Sequence, residues 1–187
     1  MDYYKKYLKY KYKYVVFKNK LLQFGNGGYE DDIRLQFINK GINFNEKRCL
    51  DIGTRNGLNC ITLINLGARE VIGIDIDDTR FNEMPSNDKI KLVKTDLLEL
   101  DDAEKFDVIT CFLWNMPLPL YNKIIQKIIS LLKIDGIIYI GFHDKLYKYD
   151  KYGGSVPDLL IKNFNNVKIL DRDNPYQWIM EASGPLL

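Results

Sequence analysis

The run Cys49-Leu50-Asp51-Ile52-Gly53-Thr54-Arg55-Asn56-Gly57 joins an apolar strand ending in an acid to a turn bounded by glycines, and then to an apolar pattern of helical period. Glycine lets a ligand approach the backbone closely. A helix N-terminus presents amide groups and the positive end of a dipole, which suit a carboxylate or a phosphate. Tight strand-to-helix turns need glycine in any case, so this run alone leaves a purely structural role open. Val71-Ile72-Gly73-Ile74-Asp75 repeats the pattern, with its acid 22 positions after Gly53. A carboxylate there is placed to accept hydrogen bonds from both hydroxyls of a ribose. Ile90-Lys91-Leu92-Val93-Lys94 is followed by Thr95-Asp96, where a carboxylate can accept from an adenine amino group. Three acids thus follow three successive strands.

These acids require a parallel sheet whose strand ends line up. From Lys47 onward short apolar runs alternate with helical patterns, the signature of such a sheet with helices on both faces. The runs predict strands over Lys47–Ile52, Glu70–Asp75, Lys89–Lys94, Phe106–Phe112, Gly136–Phe142, Val167–Asp171 and Gln177–Ala182. Gly57–Leu66 predicts a helix, as do Leu120, Ile124, Ile128 and Leu131, which recur at helical spacing. Only Arg172 to Tyr176 separates the last two strands, too short a link for a crossover helix, so they must pair as an antiparallel hairpin. Asp31–Lys40 predicts a short helix before the first strand. Tyr3, Tyr7, Tyr10, Tyr14 and Phe17 form one helical stripe, although Tyr10 to Tyr14 also alternates as a strand would.

The chain of 187 residues, 46% hydrophobic and 28% charged, has the length and composition of one globular domain rather than of a disordered or fibrous protein. Its net charge is +2, but residues 1–20 hold seven Lys and one Asp, or +6, which leaves −4 on the rest. Basic charge is therefore an N-terminal feature. Cys49, Cys60 and Cys111 lie in apolar runs without metal-type spacing, as buried thiols of a reducing compartment would. No run is long enough for a membrane span and the N-terminus has no secretory apolar run, so a cytoplasmic location is expected.

Over residues 30–187 the sequence resembles the class I S-adenosylmethionine-dependent methyltransferases, whose first motif is an acid, any residue, then glycines at alternating positions. Asp51, Gly53 and Gly57 match it, while Arg55 stands where the middle glycine would be. A Gly-Thr-x-x-Gly turn is similar to variants in methyltransferases of sugars, natural products and tRNA wobble uridines. The resemblance implies a Rossmann-like α/β sheet of seven strands in the order 3-2-1-4-5-7-6, ending in the hairpin, with the last strand reversed. It implies one methyltransferase domain over 1–187, with 1–45 as a helical cap or arm and 46–187 as the cofactor-binding core. The cofactor it implies is S-adenosylmethionine. Asp51, Gly53, Thr54 and Gly57 would surround the methionine moiety, Asp75 would hold the ribose and Ile76 would pack on adenine. Asp96 and Leu97 would contact the adenine edge, and Phe112 would lie beside the methionine chain. A nicotinamide-binding oxidoreductase competes for the glycine turn, but that fingerprint wants three glycines directly after the strand and this turn has two.

Methyl transfer from a sulfonium needs alignment of acceptor and methyl group, and sometimes removal of a proton. The acceptor belongs beyond the carboxyl ends of the strands, which points to the segments after Phe112 and Phe142. Leu113-Trp114-Asn115-Met116-Pro117-Leu118 partly resembles the Asn-Pro-Pro-aromatic motif of amino-group methyltransferases, in which the Asn orients an amine; Asn115 as a turn cap fits equally. His143, the single histidine, and Asp144 are candidates for a base that takes a hydroxyl proton. Tyr29, Arg55 and Trp114 are candidates for the acceptor pocket, as against core residues with a satisfied polar tip. A small polar acceptor, such as a sugar or a nucleotide-linked sugar, is favoured by the acidic core. RNA is the alternative, reached through the Lys/Tyr segment, which fits equally as an amphipathic helix packed on the domain or on a second subunit. A non-catalytic scaffold with this fold is the reading from another class.

Overall fold

The computed structural model describes residues 42–101, 103–112, 118–142, 155–171 and 178–186. The expected helices over Tyr3–Lys20 and Asp31–Lys40 lie outside them, as does the arm assigned to 1–45 for all but its last residues. Seven strands are present: β1 (Arg48–Ile52), β2 (Glu70–Asp75), β3 (Ile90–Lys94), β4 (Phe106–Cys111), β5 (Leu132–Phe142), β6 (Phe164–Asp171) and β7 (Trp178–Pro185). They form one sheet in the order β3-β2-β1-β4-β5-β7-β6. The pairs β1–β2, β1–β4, β2–β3 and β4–β5 are parallel, whereas β7 runs antiparallel to both β5 and β6. Sheet, order and reversed last strand are those expected from the sequence.

Alternation along the strands sends side chains to two cores. On one face Leu50, Ile52, Ile74, Ile109, Ile138 and Ile140 pack with helices α2 (Leu118–Leu131) and α3 (Val156–Asn163). Ile124, Ile125, Ile128 and Ile129 of α2 are all buried there, each contributing about 2 kcal/mol of transfer free energy. On the other face Cys49, Val71, Val108, Tyr139 and Ile179 meet Phe44 and helix α1 (Leu58–Asn65) through Cys60 and Leu63. Every residue of β1 is buried, as a central parallel strand covered on both sides requires. The chain leaves β1 for β2 on one side and later returns to β4 on the other. The carboxyl end of β1 is therefore the point where connections diverge and a crevice opens.

Three departures from the sequence expectation have local causes. β5 begins at Leu132 rather than Gly136, because Phe106 pairs with Leu132 and the ladder then shifts register, with Val108 paired to Ile137. β6 begins at Phe164 and β7 continues to Pro185, since Phe164 and Pro185 pair and extend the hairpin ladder. Helix α3 is additional. Its start is a capping box: Ser155 Oγ accepts from the Asp158 backbone N–H at 3.2 Å, and Asp158 Oδ2 accepts from the Ser155 N–H at 2.9 Å. The helix buries Val156 and Leu160 against the α2 face. Ser155→Ala removes the cap and should lower unfolding free energy by about 1 kcal/mol, read as a shift of the urea midpoint at unchanged slope. An unchanged midpoint would mean that packing alone fixes the start of α3.

Candidate functional site

The carboxyl end of β1 carries Asp51, which is 1% exposed. Its register partners are Gly73 on β2 and Thr110 on β4, so all three occupy the α1 face at one level of the sheet. Thr110 Oγ1 donates to Asp51 Oδ1 at 2.7 Å and lies 3.4 Å from the Leu50 carbonyl. Cys60 Sγ, from the first turn of α1, lies 3.9 Å from Asp51 Oδ2 and 3.1 Å from Thr54 Oγ1. Gly73 leaves the room that this cluster needs. A Cβ there would stand 2.7 Å from Cys60 Sγ and 2.8 Å from both Thr54 Oγ1 and Leu92 Cδ2.

The turn after β1 is held from below and from the side. The amides of Gly53 and Thr54 both donate to the Ile74 carbonyl, at 2.8 and 3.0 Å. Gly53 and Gly57 have φ of 77° and 75°, the left-handed region that suits glycine, and Gly57 is the N-cap of α1. Arg55 occupies the same region at φ 56° despite its side chain. Its N–H donates to Asp75 Oδ2 at 3.1 Å, so the first turn and the second acid form one unit. The turn is also touched by the β2–β3 connection. Met84 Sδ would lie 2.6 Å from a Cβ on Gly57, and Glu83, paired with Arg80 at 2.7 and 2.6 Å, is held below the usual carboxylate range first by Arg80 and then by Asn56 and Arg55. The Arg55 charge therefore bears on Glu83, on the β2–β3 side of the crevice.

Asp75 is buried at the end of β2. Oδ2 accepts from Arg55 as above, and Oδ1 accepts from the Asp77 N–H at 3.0 Å. Ile76, next in the chain, is half-buried. After β3, Asp96 Oδ1 accepts from the Leu98 N–H at 2.9 Å and caps a short 3₁₀ turn (Leu97–Glu99), with Leu97 buried. Phe112 is buried just past the end of β4, on the α1 face. The nine residues expected to surround a cofactor thus stand at the carboxyl ends of four neighbouring strands. Trp114, Asn115, His143, Asp144 and Tyr29 lie outside the described residues. Sequence reasoning missed Thr110, Asn59 and Gly73. A β-branched residue in a strand and a glycine in an apolar run carry no signal of their own, because their importance comes from pairing across the sheet.

Burial pushes the Asp51 carboxyl from its ordinary 3.8 up to about 6, against the pull of hydrogen bonds from Thr110, Thr54 and Asn59; the charge of Asp75 raises it further. Between those two values the folded chain keeps a proton that the unfolded chain has released. The stabilising effect of neutral Asp51 is therefore complete at low pH and is lost as pH rises through that interval. Relative to the parent protein, Asp51→Asn should gain about 2 kcal/mol of unfolding free energy between about pH 4 and pH 7 in urea titrations. Parallel stability curves for the two proteins would rule out titration of Asp51 in this window.

A family model described as a methyltransferase domain matches residues 43–182. Among curated proteins the chain is 32% identical over 134 residues to the ribosomal protein L11 methyltransferase of Fusobacterium nucleatum, covering 66% of this chain and 42% of that protein. It is 27% identical over 136 residues to the protein of the same name from Aquifex aeolicus, covering 71% and 51%. The chain thus spans about half or less of the length of these relatives. Among solved structures, the 1,6-didemethyltoxoflavin-N1-methyltransferase of Burkholderia thailandensis superposes with a TM-score of 0.67 at 16% identity, over 98% of this chain and 89% of that one. The magnesium protoporphyrin IX methyltransferase of Synechocystis PCC 6803, solved with bound S-adenosylmethionine, superposes with a TM-score of 0.64 at 17% identity, over 97% of each. The match runs from before β1 into β7 and so includes the carboxyl ends of β1 to β4, and by it the chain belongs to the class I S-adenosylmethionine-dependent methyltransferases.

Proposed function

We propose that this chain binds S-adenosylmethionine across the carboxyl ends of β1, β2 and β3 and transfers its methyl group to a nitrogen or oxygen of a small polar acceptor. The observation that carries the cofactor assignment is the coupling of the Gly53–Gly57 turn to two buried carboxylates, Asp51, which accepts from the Thr54 side chain, and Asp75, 3.1 Å from the Arg55 amide. These residues suit the molecule part by part. Asp51 faces a cationic ammonium group, with Gly53, Thr54 and Gly57 giving the methionine moiety close backbone approach. Asp75 accepts from the ribose hydroxyls, and Ile76 supplies an apolar surface for adenine. Asp96 accepts from the adenine amino group beside Leu97, and Phe112 flanks the methionine chain.

The bound cofactor supplies an electrophilic methyl on a leaving group that needs no acid. The chain's own contribution is to hold that methyl in line with an acceptor at the carboxyl ends of β4 and β5. For a hydroxyl acceptor His143 or Asp144 would take the proton; for a neutral amine Asn115 would orient the lone pair. Trp114, Arg55 and Tyr29 remain the proposed acceptor contacts, within a single domain of arm and core. The acidic balance of residues 21–187, −4 in all, supports a small polar acceptor over a polyanion. A second reading, methylation of a protein, is favoured by one observation: the curated relatives at 27–32% identity are named for ribosomal protein L11. Among the described residues no helix is long and apolar enough to cross a membrane.

A labelled-methyl assay against separated small-molecule, glycan, protein and RNA pools decides among acceptors. Label in small molecules or glycans is expected, label confined to protein establishes the second reading, and label confined to RNA overturns both. Asp75→Ala should weaken S-adenosylmethionine binding by about 1–3 kcal/mol in calorimetry, the worth of hydrogen bonds to a charged group. Unchanged affinity would remove Asp75 from the ribose site. No binding of either the cofactor or its demethylated product by the parent protein at millimolar concentration would favour the scaffold.

A further inference from the structure

The strand β4 carries one buried hydroxyl at the level of the cofactor crevice, and apolar packing does not explain it. Thr110 is 1% exposed, on a strand whose neighbours Val108, Ile109 and Cys111 are buried and apolar. Its Oγ1 has two acceptors in reach, and the nearer one is the Asp51 carboxylate at 2.7 Å rather than the Leu50 carbonyl at 3.4 Å. A hydroxyl has a single proton to give, and the short contact gives it to the carboxylate. Because Asp51 and Thr110 are register partners on adjacent parallel strands, backbone pairing fixes their separation, and Asp51 Oδ1 is pinned toward β4.

We propose that Thr110 is a positioning residue for cofactor binding: its hydroxyl holds the buried Asp51 carboxylate in one orientation and in its charged form, ready for the ammonium group of the methionine moiety. The inference rests on the reading of Asp51 as a contact of that moiety. A carboxylate without water around it reverts to the neutral acid unless donors favour the charged form. Described titratable groups that bear on Asp51 are Asp75 from β2, Cys60 from α1 and Cys49 on its own strand, none of them a cation. Its donors are the neutral side chains of Thr110, Thr54 and Asn59, with the Cys60 thiol farther off at 3.9 Å, and Thr110 is the largest of the influences that keep it charged. A neutral Asp51 would offer the ammonium group an acid proton in place of a charge.

Thr110→Val keeps the shape and the strand preference of the side chain and removes the donor; Thr110→Ser keeps the donor. S-adenosylhomocysteine, which retains the ammonium group and is chemically stable, is the probe. By calorimetry at pH 6, Thr110→Val should bind it about tenfold more weakly than the parent, and at pH 8.5 the two should agree within about twofold. Thr110→Ser should follow the parent at both values. A deficit of equal size at both pH values means that Thr110 acts through packing and overturns the proposal, as does parental affinity throughout. The carbon-13 shift of the Asp51 carboxyl, followed by NMR in the unliganded protein, reads the same effect without cofactor. Thr110→Val should raise its midpoint by about one pH unit or more, and an unmoved midpoint overturns the proposal. A parent protein that binds no S-adenosylhomocysteine at either pH would instead count against the proposed function, with the NMR titration still deciding the role of Thr110.

Discussion

A carboxylate buried in the middle of a sheet is costly, and much of the local structure around β1 exists to hold one. Asp51 has lost its water, so each of its lone pairs must find a donor within the protein or leave the group neutral. Thr110 reaches it from β4, while Thr54 and Asn59 reach it from the turn and the first turn of α1. Cys60 fills the space between helix and strand, and Gly73 keeps that space open on β2. Four elements therefore agree about one side chain. Only the central position of β1, with β2 on one side and β4 on the other, allows this, because an edge strand would leave one flank of the acid to solvent.

Arg55 shows how a departure from the expected glycine pattern is accommodated. A left-handed backbone costs a residue with a side chain roughly 1–2 kcal/mol, which glycine avoids. Here the strained residue places its N–H on Asp75, while its charge bears on Glu83 in the β2–β3 connection. The turn after β1 is thereby joined to the turn after β2 through both backbone and side chain. A glycine at this position would relax the backbone and keep the bond to Asp75, but would lose the electrostatic link to Glu83. The two connections that flank the crevice would then be less tightly coupled.

Strand number and the antiparallel hairpin were legible in the sequence because each follows from local signals: apolar runs of strand length, helical spacing between them, and a link too short for a crossover; strand order was legible only through the family resemblance. The acids and glycines at strand ends were legible for the same reason. Helix α3 left its signal in Ser155-Val156-Pro157-Asp158, a capping box that starts an eight-residue helix too short to show strong periodicity. The early start of β5 had no such signal, since it depends on Phe106 meeting Leu132 across a register shift. Thr110 and Gly73 were illegible on principle. A threonine in a strand reads as a β-branched strand former, and its role appears only when register sets it 59 positions away beside Asp51.

The two ends of the sheet handle charge in opposite ways. At the amino ends of the strands, buried Arg48 donates to Glu70 at 2.9 Å and to the Glu104 carbonyl at 2.6 Å while lying 4.3 Å over the Phe106 ring. Its backbone N–H bonds Asp107, which also pairs with Lys133 at 2.8 Å. Cation and anion cancel there, which is what a purely structural cluster requires. At the carboxyl ends, Asp51 is satisfied in geometry by neutral hydroxyl and amide donors that leave its charge in place. Hydrogen bonds of that kind orient a carboxylate without neutralising it, so burial continues to press the group toward its protonated form. A cationic ligand is the partner that would relieve this pressure, and the proposed contact of Asp51 with an ammonium group would supply one. The charge imbalance at β1 is thus an argument for what the crevice binds, drawn from the protein's own electrostatics and independent of any likeness in sequence.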